Sequence, residues 1–241
     1  MIHLLLAMLA AMIATSASAS GVDLTVNACP GHAGASNDAG TLDCAGGATL
    51  ALLTTFQPVE PINDLASVNV RLRIDVPFGD VNYSASFWDL QVANSAALSV
   101  TPNRPVGGCS AYLNTFGGTG SGSAALGRVV RTWSVEVGLL AYAAAPVAVT
   151  ANQKLFAMQV LLDLSTSIEA IPGGSGNGCN LPVTFEVIQL TPVSASNAAV
   201  TPLTWWATRE KWVVANGAAS SLLRGPEGTP NKFQRLRSMF R

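Results

Sequence analysis

His32 is the residue on which any imidazole chemistry in this chain depends. The sequence holds two histidines, and His3 sits in a leading apolar stretch that reads as removable. A serine hydrolase needs a nucleophile, a base and an orienting acid. No G-x-S-x-G is present, and Ser121, Ser123 and Ser175 each fail the pattern. His32 lies in the Gly- and Asn-rich stretch CPGHAGASNDAGTLDC, where it reads as a surface loop histidine. Paired carboxylates hydrolyse glycosides without histidine. Asp75, Asp80, Asp89, Glu136, Asp163 and Glu186 lie in or beside strand-like segments. Alternation puts Asp75, Glu136, Asp163 and Glu186 on polar faces, where solvation is the plainer role. Asn37, Asp38 and Asp43 crowd one loop, a set of oxygen ligands that suits calcium. No D-x-[DN]-x-[DN]-G loop is present, and Asn and Asp are also ordinary turn residues. No other cofactor is expected.

The segment PLTWWATREKW, Pro202 to Trp212, concentrates aromatic surface. Successive strand residues face opposite ways, so Trp205 and Trp206 cannot both enter one core. Three fates stay open for the outward one. A C-terminal segment covers it through Phe233, Leu236 or Phe240; it forms a platform for a sugar ring, with Arg209 or Glu210 bonding nearby; or it anchors another protein, with Trp212 beside it.

These residues are to be positioned in an exported chain. Leu4 to Ala14 form an apolar run too short to span a bilayer, and Ala17-Ser18-Ala19 is a cleavage site of the A-x-A kind. Residues 1–19 are therefore expected to be a signal peptide, without the usual Lys or Arg at its start. No later run reaches 18 apolar residues; VGLLAYAAAPVAV comes nearest and is interrupted by Pro146. Four cysteines, Cys29, Cys44, Cys109 and Cys179, fit an oxidising compartment, and their wide spacing does not fit zinc. Three connectivities are open, with Cys29–Cys44 and Cys109–Cys179 preferred. The first would order the loop between its cysteines, a closure that contributes about 3 kcal/mol. NYS at Asn82–Ser84 is a glycosylation acceptor only in a source with that machinery.

The supporting elements read as β-strands. In SVNVRLRIDV, Val68, Val70, Leu72, Ile74 and Val76 point one way, and Asn69, Arg71, Arg73 and Asp75 the other. KLFAMQVLLDL and VTFEVIQL repeat the alternation, and RVVRTWSVEV does so with Arg131 as an exception. VDLTVNA, ATLALLTTF, YSASFWDLQV, ALSV and PLTWW are weaker. Roughly eight to ten strands with no βαβ alternation predict an all-β, two-sheet antiparallel β-sandwich, jelly-roll or cohesin/Ig-like, over residues 20–214. GGTGSGS and GGSGNG lack the phosphate-binding pattern and a following helix, so they are loops.

Residues 215–241 are expected to be a linker and a basic tail. Thr229 as N-cap and Pro230 at N1 open a short amphipathic helix with Phe233, Leu236 and Phe240 on one face. From Arg209 onward seven basic residues stand against Glu210 and Glu227, on a chain whose net charge is −1. A basic end on an acidic body docks on its own domain, a neighbour or an anionic surface. Nucleic acid is not expected, because no basic patch interleaved with aromatics lies outside this tail.

Only 11% of residues are charged, against about 25% in ordinary soluble domains. The strand pattern resembles exported sandwich modules such as cohesin-like and carbohydrate-binding domains; no specific motif accompanies it, so no functional residues carry over. The expected function is a secreted, non-catalytic module for adhesion or assembly, contacting another protein or its own copies outside the cell, at the cell surface, or in the periplasm of a diderm bacterium. Carbohydrate binding through an outward tryptophan is the second reading, and a glycoside-active enzyme the third.

Overall fold

A computed structural model describes residues 21–44, 48–75, 97–118, 120–124, 128–131, 134–165, 179, 181–196, 198–204 and 212–216. These residues are mostly β-strand, arranged in two antiparallel sheets, with no α-helix among them. The strands are β1 (Gly21–Val26), β2 (Thr49–Gln57), β3 (Ile62–Asp75), β4 (Leu98–Thr101), β5 (Ser121–Ala124), β6 (Arg128–Arg131), β7 (Ser134–Val149), β8 (Leu155–Asp163), β9 (Val183–Ser194), β10 (Leu203–Thr204) and β11 (Trp212–Ala215). One sheet has the order β1-β2-β8-β4. The other has the order β10-β9-β3-β7-β5, with β11 added on β9 and β6 on β7.

The two sheets share one apolar core. Val22, Leu24, Leu52, Phe56, Val160 and Leu162 enter it from the smaller sheet, and Val70, Leu72, Val137, Leu139, Phe185 and Val187 from the larger. Each such side chain contributes about 1.5–3 kcal/mol by leaving water. β3 is the central strand, paired with β7 on one side and β9 on the other. Its alternation holds from Val68 onward, where Val68, Val70, Leu72 and Ile74 are buried and Asn69 and Arg71 are exposed on the far face; before it the register shifts between Ile62 and Leu65 and between Leu65 and Ser67.

Three segments differ from the sequence reading. RVVRTWSVEV is a hairpin rather than one strand, because Arg128 pairs with Glu136, Val129 with Val135 and Arg131 with Ser134. VGLLAYAAAPVAV is the long body of β7, and Pro146 is taken up where the β3 register jumps from Val147–Leu65 to Tyr142–Ser67. A proline has no N–H to donate, so it fits a ladder only at such an irregularity. PLTWW contributes only Leu203 and Thr204 to a described strand. YSASFWDLQV, the NYS acceptor, the leading segment 1–19 and the tail 217–241 with its expected helix lie outside the described residues.

Candidate functional site

The long connection between β1 and β2 builds most of the site. It leaves β1 at Asn27, whose φ of 67° is left-handed, a conformation that asparagine tolerates better than most side chains. The Thr25 hydroxyl donates to the Ala28 carbonyl at 2.7 Å and holds this corner. Cys29 then meets the loop after β4: its N–H donates to the Gly108 carbonyl at 2.9 Å, and its sulfur is bonded to Cys109. Beneath this bridge lies a second apolar cluster of Cys29, Leu53, Cys109, Tyr112 and Phe156. Leu53 follows core residue Leu52 in β2, so it serves the opposite face of the smaller sheet. Arg104 stiffens the loop by donating to the carbonyls of Cys109, Ser110 and Tyr112. The Tyr112 hydroxyl donates to the Pro30 carbonyl at 3.1 Å, and the Lys154 ammonium sits 5.7 Å from the centre of its ring. Burial, with the charge of Asp23 behind it, pushes the Tyr112 phenol up to about 12. The His32 Nε2 accepts the Ala111 N–H at 3.4 Å, which gives this histidine a structural contact between the two loops.

The second half of the connection turns the other way, toward β11. Asp38 bridges Val214, and the Asn37 amide donates to the carbonyls of Leu24 and Trp212 at 2.8 and 3.0 Å. Asn216 answers from the other side. Its Oδ1 accepts the Leu42 N–H at 2.8 Å, while its Nδ2 donates to Cys179 and Leu181 carbonyls at 2.8 and 2.9 Å. Cys44 is disulfide-bonded to Cys179. The preferred sequence pairing is therefore corrected: the bridges are Cys29–Cys109 and Cys44–Cys179. The loop does not close on itself, because its first half lies on the β4–β5 connection and its second half on β11.

Between these anchors lies a cleft of about 320 Å³, at the small end of ligand-holding volumes. Ala39, Leu42, Ala48, Ala51, Leu53 and Pro105 supply apolar wall; Asn27, Thr41, Thr49 and Gln159 supply neutral polar groups. Asp43 is the one ionisable residue among the described residues of its lining. The three calcium candidates do not converge on it. The Asn37 amide is engaged with two backbone carbonyls, and Asp38 Oδ1 accepts the Gly40 N–H of its own turn. Among the described residues no group of three or more His, Cys, Asp or Glu is placed to hold a metal.

The face of the larger sheet turned away from the core carries a second feature. Register puts Arg73 between Glu136 on β7 and Glu186 on β9. Arg73 pairs with Glu186 and, at 3.2 Å, with Asp75; Arg71 pairs with Glu136 at 2.6 Å. Burial pulls the Arg73 guanidinium down, but Glu186, Asp75 and Glu136 outweigh it and hold the group above its ordinary value. Trp212 lies opposite Glu186 across the β9–β11 pairing and so shares this face. Tyr142, 44% exposed, projects farther along β7. Of the carboxylates weighed for acid–base work, Asp75, Glu136 and Glu186 thus meet arginines, and Asp163 accepts from the Ser165 hydroxyl and N–H. Ser121 and Ser123 lie on edge strand β5.

Of the sequence-predicted contact residues, Trp212 alone is described; Trp205, Trp206, Arg209, Phe233, Leu236 and Phe240 lie outside the described residues, as do Asp80, Asp89 and Ser175. Sequence reasoning missed Asn216, although Asn-Gly directly after an apolar strand is a turn signal. It also missed the cleft, which no local pattern marks. Among the described residues no helix is long and apolar enough to cross a membrane. The chain matches no family model, and comparison with curated proteins and with solved structures returns no match.

Proposed function

We propose that this chain is an exported, non-catalytic module, built as a two-sheet sandwich, that binds another protein through the outward face of its larger sheet. The observation that carries this reading is the ladder Arg71–Glu136 and Arg73–Glu186, flanked by Trp212 and Tyr142 on the same face. It is a broad strand-built surface on which Arg71 and Arg73 are paired with three carboxylates, bounded by aromatic residues of the kind enriched at binding hot spots. Two disulfides fit a protein of an oxidising compartment. The glycosidase reading is disfavoured, because Asp75, Glu136 and Glu186 are each ion-paired with Arg71 or Arg73. Saccharide binding through Trp205 or Trp206 rests on residues outside the described set.

The test compares wild type with an Arg71→Glu/Tyr142→Asp variant in the source cells. The expected result is retention of the wild type at the cell surface and release of the variant into the medium, with unchanged circular dichroism. Equal release of both forms, each monomeric by sedimentation velocity, would overturn the proposal.

A further inference from the structure

We infer that the cleft beside Asn216 is the docking place of the chain's own C-terminal segment, residues 217–241. This inference stands apart from the proposed function, which uses the other sheet. The folded body hands the chain over at the cleft rim. The Asn216 N–H donates to the Gly40 carbonyl, and its side chain accepts from Leu42, so the segment begins next to the wall formed by Ala39, Thr41, Leu42 and Asp43. Among the described residues that line the cleft, Asp43 supplies a carboxylate and none is a lysine or arginine. The segment has the opposite character: Arg224, Lys232, Arg235, Arg237 and Arg241 stand against Glu227 alone, interleaved with Phe233, Leu236, Met239 and Phe240. One apolar side chain with a neighbouring cation matches a small apolar cleft with a carboxylate at its edge.

Tethering makes such a match sufficient. Residues 217–232 tether the Phe233 region to Asn216, and a tether of this length corresponds to an effective concentration in the millimolar range. A contact too weak to persist between separate molecules is then largely formed within one chain. The occupant is accordingly this chain's own segment rather than a second copy.

The test uses the full mature, oxidised chain with a nitroxide at S238C. Paramagnetic broadening is read at the backbone amides of Thr41, Asp43, Ala48 and Ala51, with Tyr142 on the far sheet as reference. The expected result is strong broadening at the cleft and little at Tyr142. It should fall to the reference level in Asp43→Lys and, with the cleft untouched, in Phe233→Ser/Phe240→Ser. Equal broadening at cleft and reference sites overturns the inference. So does cleft broadening that appears only when spin-labelled chain is mixed with a separate isotope-labelled chain, because the contact is then between copies. Loss of the cleft signal in neither variant overturns it too, because the segment is then held by something other than the stated match.

Discussion

Asn216 should be among the most stability-critical polar residues of the body, and its contribution divides into two parts that substitutions separate. The first is hydrogen bonding. Its side chain makes three part-buried bonds, to Leu42, Cys179 and Leu181, that join the β1–β2 connection, the residues before β9 and the end of β11. At about 1 kcal/mol net for each, the three contribute about 3 kcal/mol, and the backbone groups stranded by their loss set a higher bound. The second part is conformational. Asn216 has φ of 56°, and an alanine there adds about 1 kcal/mol of left-handed strain that glycine avoids. Asn216→Gly is therefore expected to lower unfolding free energy by about 3 kcal/mol and Asn216→Ala by about 4 kcal/mol. Asn216→Asp keeps the acceptor for Leu42 and loses both donors, and it should be no better than glycine. The assay is urea unfolding of the oxidised protein at neutral pH, followed by far-ultraviolet circular dichroism and fluorescence together, with free energies compared at equal m-values. An alanine variant within about 1 kcal/mol of wild type, or glycine and alanine variants of equal stability, would refute the reasoning.

The bridges make a second prediction. Peptide mapping of the unreduced protein should recover the pairs Cys29–Cys109 and Cys44–Cys179, and a Cys29–Cys44 peptide would contradict the packing of the long connection. Replacing Cys44 and Cys179 by alanine opens a closure of 135 residues and should cost up to about 5 kcal/mol in the chain-entropy account, less to the extent that the interlaced Cys29–Cys109 bridge already restricts the chain. A third concerns acid. Asp64 accepts from the Ser194 hydroxyl and from the Ser196 hydroxyl and backbone N–H, bonds that hold its carboxyl below the ordinary value. Its folded pKa lies under its unfolded one, so its stabilisation is present above the unfolded value and disappears as pH falls through the folded value. Side-chain carbon shifts should titrate Asp64 below a solvent-exposed aspartate, and Ser194→Ala should raise it; an unmoved midpoint would remove the claim.

Alternation made β3 from Val68, β8 from Met158 and β9 as far as Val187 legible, because there one face lies on the core and period two is imposed; register shifts put Phe156 in the second cluster, not with Met158 and Val160, and bring Leu190 into the core out of step with Val187. The same rule misread RVVRTWSVEV. Cross-strand partners lie on the same face of a sheet, and Val129 and Val135 are partners six positions apart. An even separation preserves parity, so alternation passes through the turn without a break, and periodicity cannot detect it. The cysteines failed for another reason. Proximity in sequence favours Cys29–Cys44 only when the loop between them closes on itself, and this loop is drawn apart by Gly108 at one end and Val214 at the other. Asn37 and Asn216 act across 175 and 174 residues respectively, distances at which composition carries no information. The crowding of Asn37, Asp38 and Asp43 was visible; that Asn37 fastens strands while Asp38 shapes a turn was not.

The placement of charge argues for recognition over stability. Only 11% of the residues are charged, yet Arg71, Arg73, Asp75, Glu136 and Glu186 gather in neighbouring rows of three adjacent strands. Exposed ion pairs contribute about 0–1 kcal/mol each, and Arg71, with 55% of its side chain exposed, belongs to that class. Such an exposed pair adds little to a fold with an apolar core shared by two sheets and two long-range disulfides, whereas Arg73 and Glu186 form a part-buried pair. What a paired ladder does supply is a fixed pattern of alternating sign, which a complementary surface can match and an uncomplementary one cannot without burying unpaired charge. On the other sheet, the Cys29–Cys109 bridge and the Arg104 carbonyl clamp hold the loops against the strands. Among the described residues the ion pairs lie on the outward face of the larger sheet and the cleft lies by the smaller one, so the proposed partner and the proposed docking of the terminus would not compete.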